Sequence, residues 1–473
     1  MGRAPHLVPP LNRRSRVTMS TRLVVVVTGA NSGVGFGVCH RLLVQLSAPD
    51  PPDARPLFLS SSYAPPTKTN DPRPLHAPPP HEGLTIIMAC SDARRAEAAR
   101  TQLYALLDQH ISGLQQGSQE RGYATTFRSN VKLELETLDL ASMNSVVAFG
   151  KTVNQKYEYI SHLILNAGTA SYTHLDNMVQ LYDMFAHPIF ASTHPRSNVQ
   201  RNGVMSDDNL GYVWQCNVFG HYCVYRSLQP LLSAYAQLTG EPARVIWMSS
   251  LVAAPYFDPV DDWQLTKTLH SYEGSKFQID LIASELERLG IDARAKDDPS
   301  SLPDFISADG GVHHLISSPG VVPTNMMSLL GANTLGHRAS AAFVFWVTRL
   351  LGCRHIHLTV YSCAVATVHL ALAPLRSIPT SGTVPTVLPS DEKYPPWHPY
   401  SNLETEEVQT LRMGSEADRW GYEYTSFIAV PVWQEHRDFG GKLLEKCERL
   451  YQTFRTASSG GTSAAEGAAA VAN

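Results

Sequence analysis

Leu23 to Val27 is an unbroken apolar run that ends in Thr28-Gly29-Ala30-Asn31-Ser32-Gly33-Val34-Gly35, and from Val38 to Leu46 apolar side chains return at helical spacing. A run this short fits a strand buried on both faces, and a glycine-rich turn leading straight into a helix commits the chain to an α/β alternation. The alternation continues. LTIIMAC (84–90) precedes an Ala- and Arg-rich helix to about Leu107, and KLELETLDL (132–140) precedes a helix from Ser142. HLILNAG (162–168), RVIWMSS (244–250) and HHLISSPG (313–320) read as three further strands, with a long helix from Tyr272 to Leu289 between the last two. The pattern predicts one α/β domain over 19–445, a doubly wound parallel sheet covered on both faces by helices. Within it, the Pro-rich segment 48–83 is predicted to be an insertion without a core, and the polar stretches 169–209 and 291–311 to be loops. Residues 1–18 are basic and hold no apolar run that could serve as a signal-peptide core. They are predicted to be a disordered extension, with Met19 the suspected start, and 457–473, rich in Ala, Gly and Ser, a disordered tail.

Because the glycines of Thr28-Gly29-x-x-x-Gly33-x-Gly35 stand between a strand and a helix N-terminus, the backbone there can approach a pyrophosphate. That predicts a dinucleotide site. Tyr272 and Lys276 lie four residues apart, on one face of their helix. An ammonium beside a phenol favours the phenolate, so Lys276 is expected to lower the Tyr272 pKa and let Tyr272 exchange a proton as a general acid.

The glycine turn followed by Tyr272-x-x-x-Lys276 resembles the short-chain dehydrogenases/reductases, and other segments match that family in sequence order. The resemblance implies a Rossmann-type fold and a catalytic set of Tyr272, Lys276, Ser250 and Asn217. Ser250, at the end of WMSS, would hydrogen-bond the substrate carbonyl, and Asn217, in NVFGHY, would support a proton relay. Thr28, Gly29, Asn31, Gly33, Val34 and Gly35 would line the pyrophosphate, and Asp139 the adenine. Asn166-Ala167-Gly168 resembles the family's segment closing strand four, although Leu165 stands where the family has its first Asn. Pro319, Gly320 and Thr324 match the stretch that lies against the nicotinamide, whose ribose Tyr272 and Lys276 also contact.

A narrower resemblance is to the fungal sterol 3-keto reductases of ergosterol biosynthesis, through SDDNLGYVWQCNVFGHY, DDWQ followed by YEGSK, and TRLLG. It implies reduction of a 3-keto sterol to the 3β-alcohol during C4 demethylation. It also implies attachment to the cytosolic face of the endoplasmic reticulum membrane or to lipid droplets, beside other enzymes of C4 demethylation. The retinol-dehydrogenase-like branch, acting on another lipophilic carbonyl, and a mainly scaffolding role in a membrane sterol-enzyme complex remain alternatives. Ser250 and Tyr272 are further apart than is usual in the family, and the extra loop, with Phe257, Asp261, Asp262 and Trp263, is expected to wall the substrate pocket.

The cofactor choice is read after strand two, where an acid would bond the ribose of NAD and a cation the 2′-phosphate of NADP. Cys90 stands where the acid would be, and Ser91, Arg94 and Arg95 follow, so NADPH is expected. The apolar stretch HRASAAFVFWVTRLLG (337–352) is too short to span a bilayer and is expected to form, with 325–336, an apolar, interfacial lid. Residues 359–372 are expected to be a core helix. A formal net charge of −4 argues against nucleic acid as a partner. The cysteines and histidines show no metal-ligand spacing, and no metal is expected.

Overall fold

A computed structural model describes residues 22–56, 82–295, 311–323, 335–378, 381–383, 408–430 and 433–460. The 1–18 extension, most of the Pro-rich insertion and Thr324 lie outside these residues. β1 (Leu23–Thr28) is buried throughout and passes through the glycine turn into α1 (Gly33–Leu46). β2 (Leu84–Cys90) is equally buried and leads to α2 (Ala93–Gly113), whose first turn is capped by the Asp92 carboxylate accepting from Arg95 N. α3 (Gln119–Ser129), β3 (Val131–Thr137), α4 (Met143–Lys156) and β4 (His162–Leu165) follow.

The polar stretch expected to be loop instead contains β5 (Tyr172–Leu175), α5 (Asn177–Ala186), α6 (Pro188–Thr193) and β6 (Asn198–Gln200). Local polar caps explain the difference. Asp176 accepts from Met178 N and Val179 N to start α5, and β5 and β6 pair as an antiparallel ribbon. α7 (Tyr212–Trp214) runs through a π-helical turn (Gln215–Phe219) into α8 (Gly220–Thr239), which Gly240 closes in the left-handed conformation. β7 (Ala243–Met248), α9 (Ser271–Ala295) and β8 (Val312–Ser318) come next. α9 thus continues into the stretch expected to be loop, of which 296–310 lie outside the described residues. α10 (Leu335–Leu350) and α11 (Val365–Leu372) follow, and α11 is buried along its whole length, as a core helix should be. β9 (Ser381–Thr383), β10 (Val408–Ala417), β11 (Glu423–Ala429) and α12 (Trp433–Gly460) complete the fold. α12 carries the backbone of 457–460 as helix rather than as tail, and 461–473 lie outside the described residues.

The sheet runs in the order β11-β10-β8-β7-β4-β1-β2-β3, with β9 on β10. Every ladder from β3 to β10 is parallel, and only β9 and β11 are antiparallel. The chain leaves β1 in one direction and resumes from β4 in the other, so a crevice opens at the carboxyl ends of these two strands. This is the doubly wound, Rossmann-type sheet expected, extended by three strands that the apolar pattern does not announce. One face packs on α4, α8, α9 and α12 around Trp214, Tyr222, Trp247 and Phe277, and the other on α1, α2 and α11 around Leu43, Leu103 and Val368. The insertion is not wholly without a core either, since Asp53 and Ala54 are buried and the Asp53 carboxylate binds the Arg41 guanidinium, Oδ1 to Nη2 at 2.9 Å.

Candidate active site

At the crevice the end of β1 is tied to the end of β4. Thr28 Oγ1 accepts from Asn166 N at 2.9 Å and Ala167 N at 3.0 Å, and Asn166 Nδ2 donates to Thr28 O at 2.9 Å. The turn after β1 leaves no room for a side chain at its two packed glycines. A Cβ on Gly35 would lie 2.4 Å from Gly29 O and 2.5 Å from Asn166 Nδ2, and Gly29 itself has φ +67°. Gly33 opens α1, and Ser32 caps it without a side-chain hydrogen bond. The first amides of α1 are therefore left to an incoming anion.

Thr28 Oγ1 also meets His221 Nε2 at 3.1 Å, and His221 Nδ1 lies 3.0 Å from Asn217 O. With two amides already donating to Thr28, its hydroxyl donates to Nε2 and the imidazole carries its proton on Nδ1. Burial lowers the His221 pKa to about 3, so the ring is neutral. His221 was not singled out by the sequence; its position four residues after Asn217 on one helix was the available signal.

Asn217 sits in the π-helical turn, fully buried, and its amide is already committed. Oδ1 accepts from Thr169 N at 2.8 Å, while Nδ2 donates to Thr169 O and to Ser275 Oγ, both at 2.9 Å. Its side chain therefore fastens the segment after β4 to α9. Gly168 lies in this corner, where a Cβ would come within 3.4 Å of Asn217 Oδ1 and 3.6 Å of Lys276 Nζ.

Lys276 Nζ donates to Met248 O at 2.8 Å and lies 5.8 Å from the centre of the Tyr272 ring. The Ser250 side chain lies beside the Tyr272 hydroxyl and favours its ionised form. Burial pushes the Tyr272 pKa up to about 12, Ser250 opposing it, and pushes Lys276 down to about 8. The expected depression of Tyr272 by Lys276 is therefore absent in the protein alone: desolvation outweighs an ammonium that is aimed at a backbone carbonyl. A tyrosine that keeps its proton at neutral pH is nevertheless in the state from which a proton is donated.

No family model matches the chain. Its sequence is 27% identical over 388 residues to the 3-keto-steroid reductase of Aspergillus fumigatus, covering 76% of this chain and 75% of that protein. It is 24% identical over 439 residues to the 3-keto-steroid reductase of Schizosaccharomyces pombe, covering 92% and 98%. The chain is similar to these reductases, and its glycine turn and Tyr272–Lys276 spacing are those of the short-chain dehydrogenases/reductases. Among solved structures, L-sorbose reductase from Gluconobacter frateurii, complexed with NADPH and L-sorbose, superposes with a TM-score of 0.42 at 13% identity, covering 75% of this chain and 92% of that one.

The chain brings most of its expected cofactor residues to one side of the crevice. Asn31 and Val34 are partly exposed in the glycine turn. Asp139 is exposed after β3, its carboxylate accepting from Ala141 N at 3.0 Å. After β8, Gly320 has φ +69°, and a Cβ there would lie 2.6 Å from His355 O; Pro319 and Gly320 are thus pressed against the strand-like segment 355–357. Past β2 the cations separate. Arg95 is held by Asp92, Nε to Oδ2 at 2.8 Å, whereas Arg94 and Ser91 are exposed and Arg94 has no ion pair among the described residues.

In the Ser250–Tyr272 loop, expected to wall the substrate pocket, the large side chains pack inward. Trp263 packs edge-on against Trp214, 5.0 Å between centroids, and Phe257 lies between Phe277 and Phe439. Asp262 is buried and accepts from Thr266 N, Lys267 N and Thr268 N at 2.7, 2.9 and 2.9 Å, while Asp261 is exposed. Against Tyr272 stands instead the β5–β6 ribbon, with Tyr172 at 6.2 Å between ring centres. From β6, Gln200 Oε1 accepts from Tyr272 N at 3.0 Å, fixing the start of α9.

Proposed function

We propose that the chain reduces the 3-keto group of a sterol to the 3β-alcohol with NADPH, in the C4-demethylation steps of ergosterol biosynthesis. The observation that carries this reading is the convergence of Tyr272, Ser250 and Lys276 on a crevice whose other lip is the glycine-rich Gly29–Gly35 turn. The likeness to fungal 3-keto-steroid reductases supplies the substrate class. When bound, a reduced nicotinamide supplies hydride from its C4 to the carbonyl carbon.

The chain's own residues do the rest. The open amides of α1 take the pyrophosphate, and Arg94 takes the 2′-phosphate. Tyr272 donates its proton to the carbonyl oxygen as negative charge develops there, and Ser250, beside the same hydroxyl, polarises that oxygen. Lys276 reaches the cofactor ribose and, once charge develops on Tyr272, stabilises the phenolate. Asn217 and His221 hold the segment between β4 and α9 in place.

Membrane attachment, at the endoplasmic reticulum or lipid droplets and beside other enzymes of C4 demethylation, belongs to the same proposal. α10 exposes Phe343 and Trp346, stacked 6.2 Å apart, while Phe345 is buried against Cys353 and Ile356 and takes no part. α5 adds a stripe of Met178, Leu181, Tyr182 and Phe185, all more than half exposed. α6 joins the two through Ser192 Oγ and Thr348 Oγ1 at 3.2 Å. No helix among the described residues is long and apolar enough to cross a membrane, so attachment would be peripheral.

The test is an assay of the purified full chain with NADPH and NADH against 3-keto sterols, retinal and simple ketones. Turnover of the 3-keto sterols with NADPH is expected, and turnover of retinal alone would give the substrate to the retinol-dehydrogenase-like alternative.

A further inference from the structure

Behind the tyrosine and lysine lies a buried ion pair drawn from distant parts of the chain. Asp280 continues the Tyr272–Lys276 face of α9 by one more turn and is fully buried. Arg412, on β10 and 3% exposed, points its guanidinium at it, Nη1 to Oδ2 at 3.2 Å. The same Nη1 donates to Ser250 O at 2.8 Å and to Ser249 Oγ at 3.3 Å. Arg412 Nε has no hydrogen-bond partner among the described residues. A buried pair so incompletely bonded is a weak source of stability, because two desolvated charges are repaid only by full hydrogen bonding. Its placement has another consequence: it touches the backbone of Ser250 on one side and faces Lys276 on the other.

The geometry points to Arg412 and Asp280 as a positioning pair for the reduction, Arg412 fixing Ser250 beside Tyr272 and Asp280 holding Lys276 in its charged form. The inference rests on the reading of Tyr272, Ser250 and Lys276 given above. Lys276 faces Tyr272 and Asp280 on α9, His221 on α8 and the Met248 carbonyl on β7; Arg412 on β10 lies beyond Asp280 and also faces His355. Of these groups only Asp280 carries negative charge at neutral pH, since its pKa, raised to about 6 by burial, is held down by Arg412, Ser249 and Lys276. It raises the Lys276 pKa against the burial that lowers it. Removing the carboxylate must therefore make Lys276 lose its proton at lower pH, and removing the guanidinium, which holds the Asp280 pKa down, drives the buried carboxyl towards its neutral form and weakens the same support.

The experiment measures kcat and KM of the full chain with NADPH and a 3-keto steroid across the neutral and alkaline range. In the wild type the alkaline limb is expected near pH 8, where Lys276 titrates. Asp280→Asn is expected to move that limb down by about one pH unit or more, and Arg412→Met to move it the same way by less. The double variant Asp280→Leu/Arg412→Met replaces the pair with apolar groups, an exchange that buried pairs commonly tolerate in folding, and guards against single variants that do not fold. It is expected to melt like the wild type and yet to lose kcat about tenfold or more, with steroid KM little changed, as a reactant group moves out of line. Wild-type kcat in the folded double variant, or single variants with an unmoved limb, would overturn the inference. Lysine-labelled protein followed by NMR reads the Lys276 titration without substrate, so downward shifts there in both single variants support the pair even if no 3-keto steroid is turned over, an outcome that would instead refute the proposed function.

Discussion

The two halves of the sheet, on either side of the seam between β1 and β4, are built differently. On the β1-β2-β3 side the expected cofactor contacts lie on short segments that leave strand ends: the Gly29–Gly35 turn, Ser91 to Arg95 and Asp139. Each is fixed by bonds within its own turn or to the next strand, such as Asp92 to Arg95 N at 2.9 Å. On the β4-β7-β8-β10 side, Ser250 is held by Arg412, which is 162 residues away, and Tyr272 by Gln200, 72 residues away. One half binds through local backbone shape, and the other aligns reacting groups through long-range side-chain ties. Damage to the first should therefore appear in cofactor affinity, and damage to the second in turnover.

The sharpest break between them is expected at Tyr272. Tyr272→Phe removes the proton donor without touching the glycine turn, so kcat should fall by about 10²–10⁴ while NADPH binding, followed by fluorescence titration, is retained. Gly35→Val is the reciprocal change. With 2.4 Å from its Cβ to Gly29 O, the turn must open, and a loss of NADPH affinity of about tenfold or more is expected in the same titration, since hydrogen bonds to charged groups are worth about 1.5–3 kcal/mol each.

Arg94→Ala sharpens the comparison within the cofactor half. Loss of one charge-assisted contact should raise the KM for NADPH by about ten- to a hundredfold and leave the KM for NADH unchanged. Arg95→Ala should do much less, because that guanidinium already pairs with Asp92 at an exposed site, where such pairs are worth about 0–1 kcal/mol. Equal effects at the two positions would place the selective cation elsewhere. The smallest effect is expected at the rim: Phe343→Ser/Trp346→Ser should weaken flotation with phospholipid vesicles by a few-fold to about tenfold, from apolar area at about 25 cal/mol per Å². Turnover of a small soluble ketone should be untouched. Unchanged flotation would leave α10 as a surface helix without a membrane role.

This difference in construction also decides what could be read from the sequence. The glycine turn and Tyr272–Lys276 were legible because their chemistry lies within one turn of backbone. β10 and β11 were not, because Arg412, Ser415 and Glu416 are buried there and break the apolar pattern that marks a strand. β5, α5, α6 and β6 were hidden by polar caps such as Asp176 and by α5's apolar stripe facing outward. The Trp263 loop read as a pocket wall because an aromatic in a loop near a site looks functional, whereas packing against Trp214 has already used it. Phe345 was grouped with Phe343 and Trp346 by sequence alone, although the helix turns it inward.

The most direct test of the central claim uses NADPH deuterated at the transferable position of C4, a 3-keto sterol and mass spectrometry of the sterol product. Deuterium is expected at C3 of a 3β-alcohol formed by the wild type, with the yield nearly abolished in Tyr272→Phe. A sterol recovered without deuterium, or labelled equally well by the Phe variant, would contradict the assignment of Tyr272 as the proton donor in a hydride transfer to a 3-keto group.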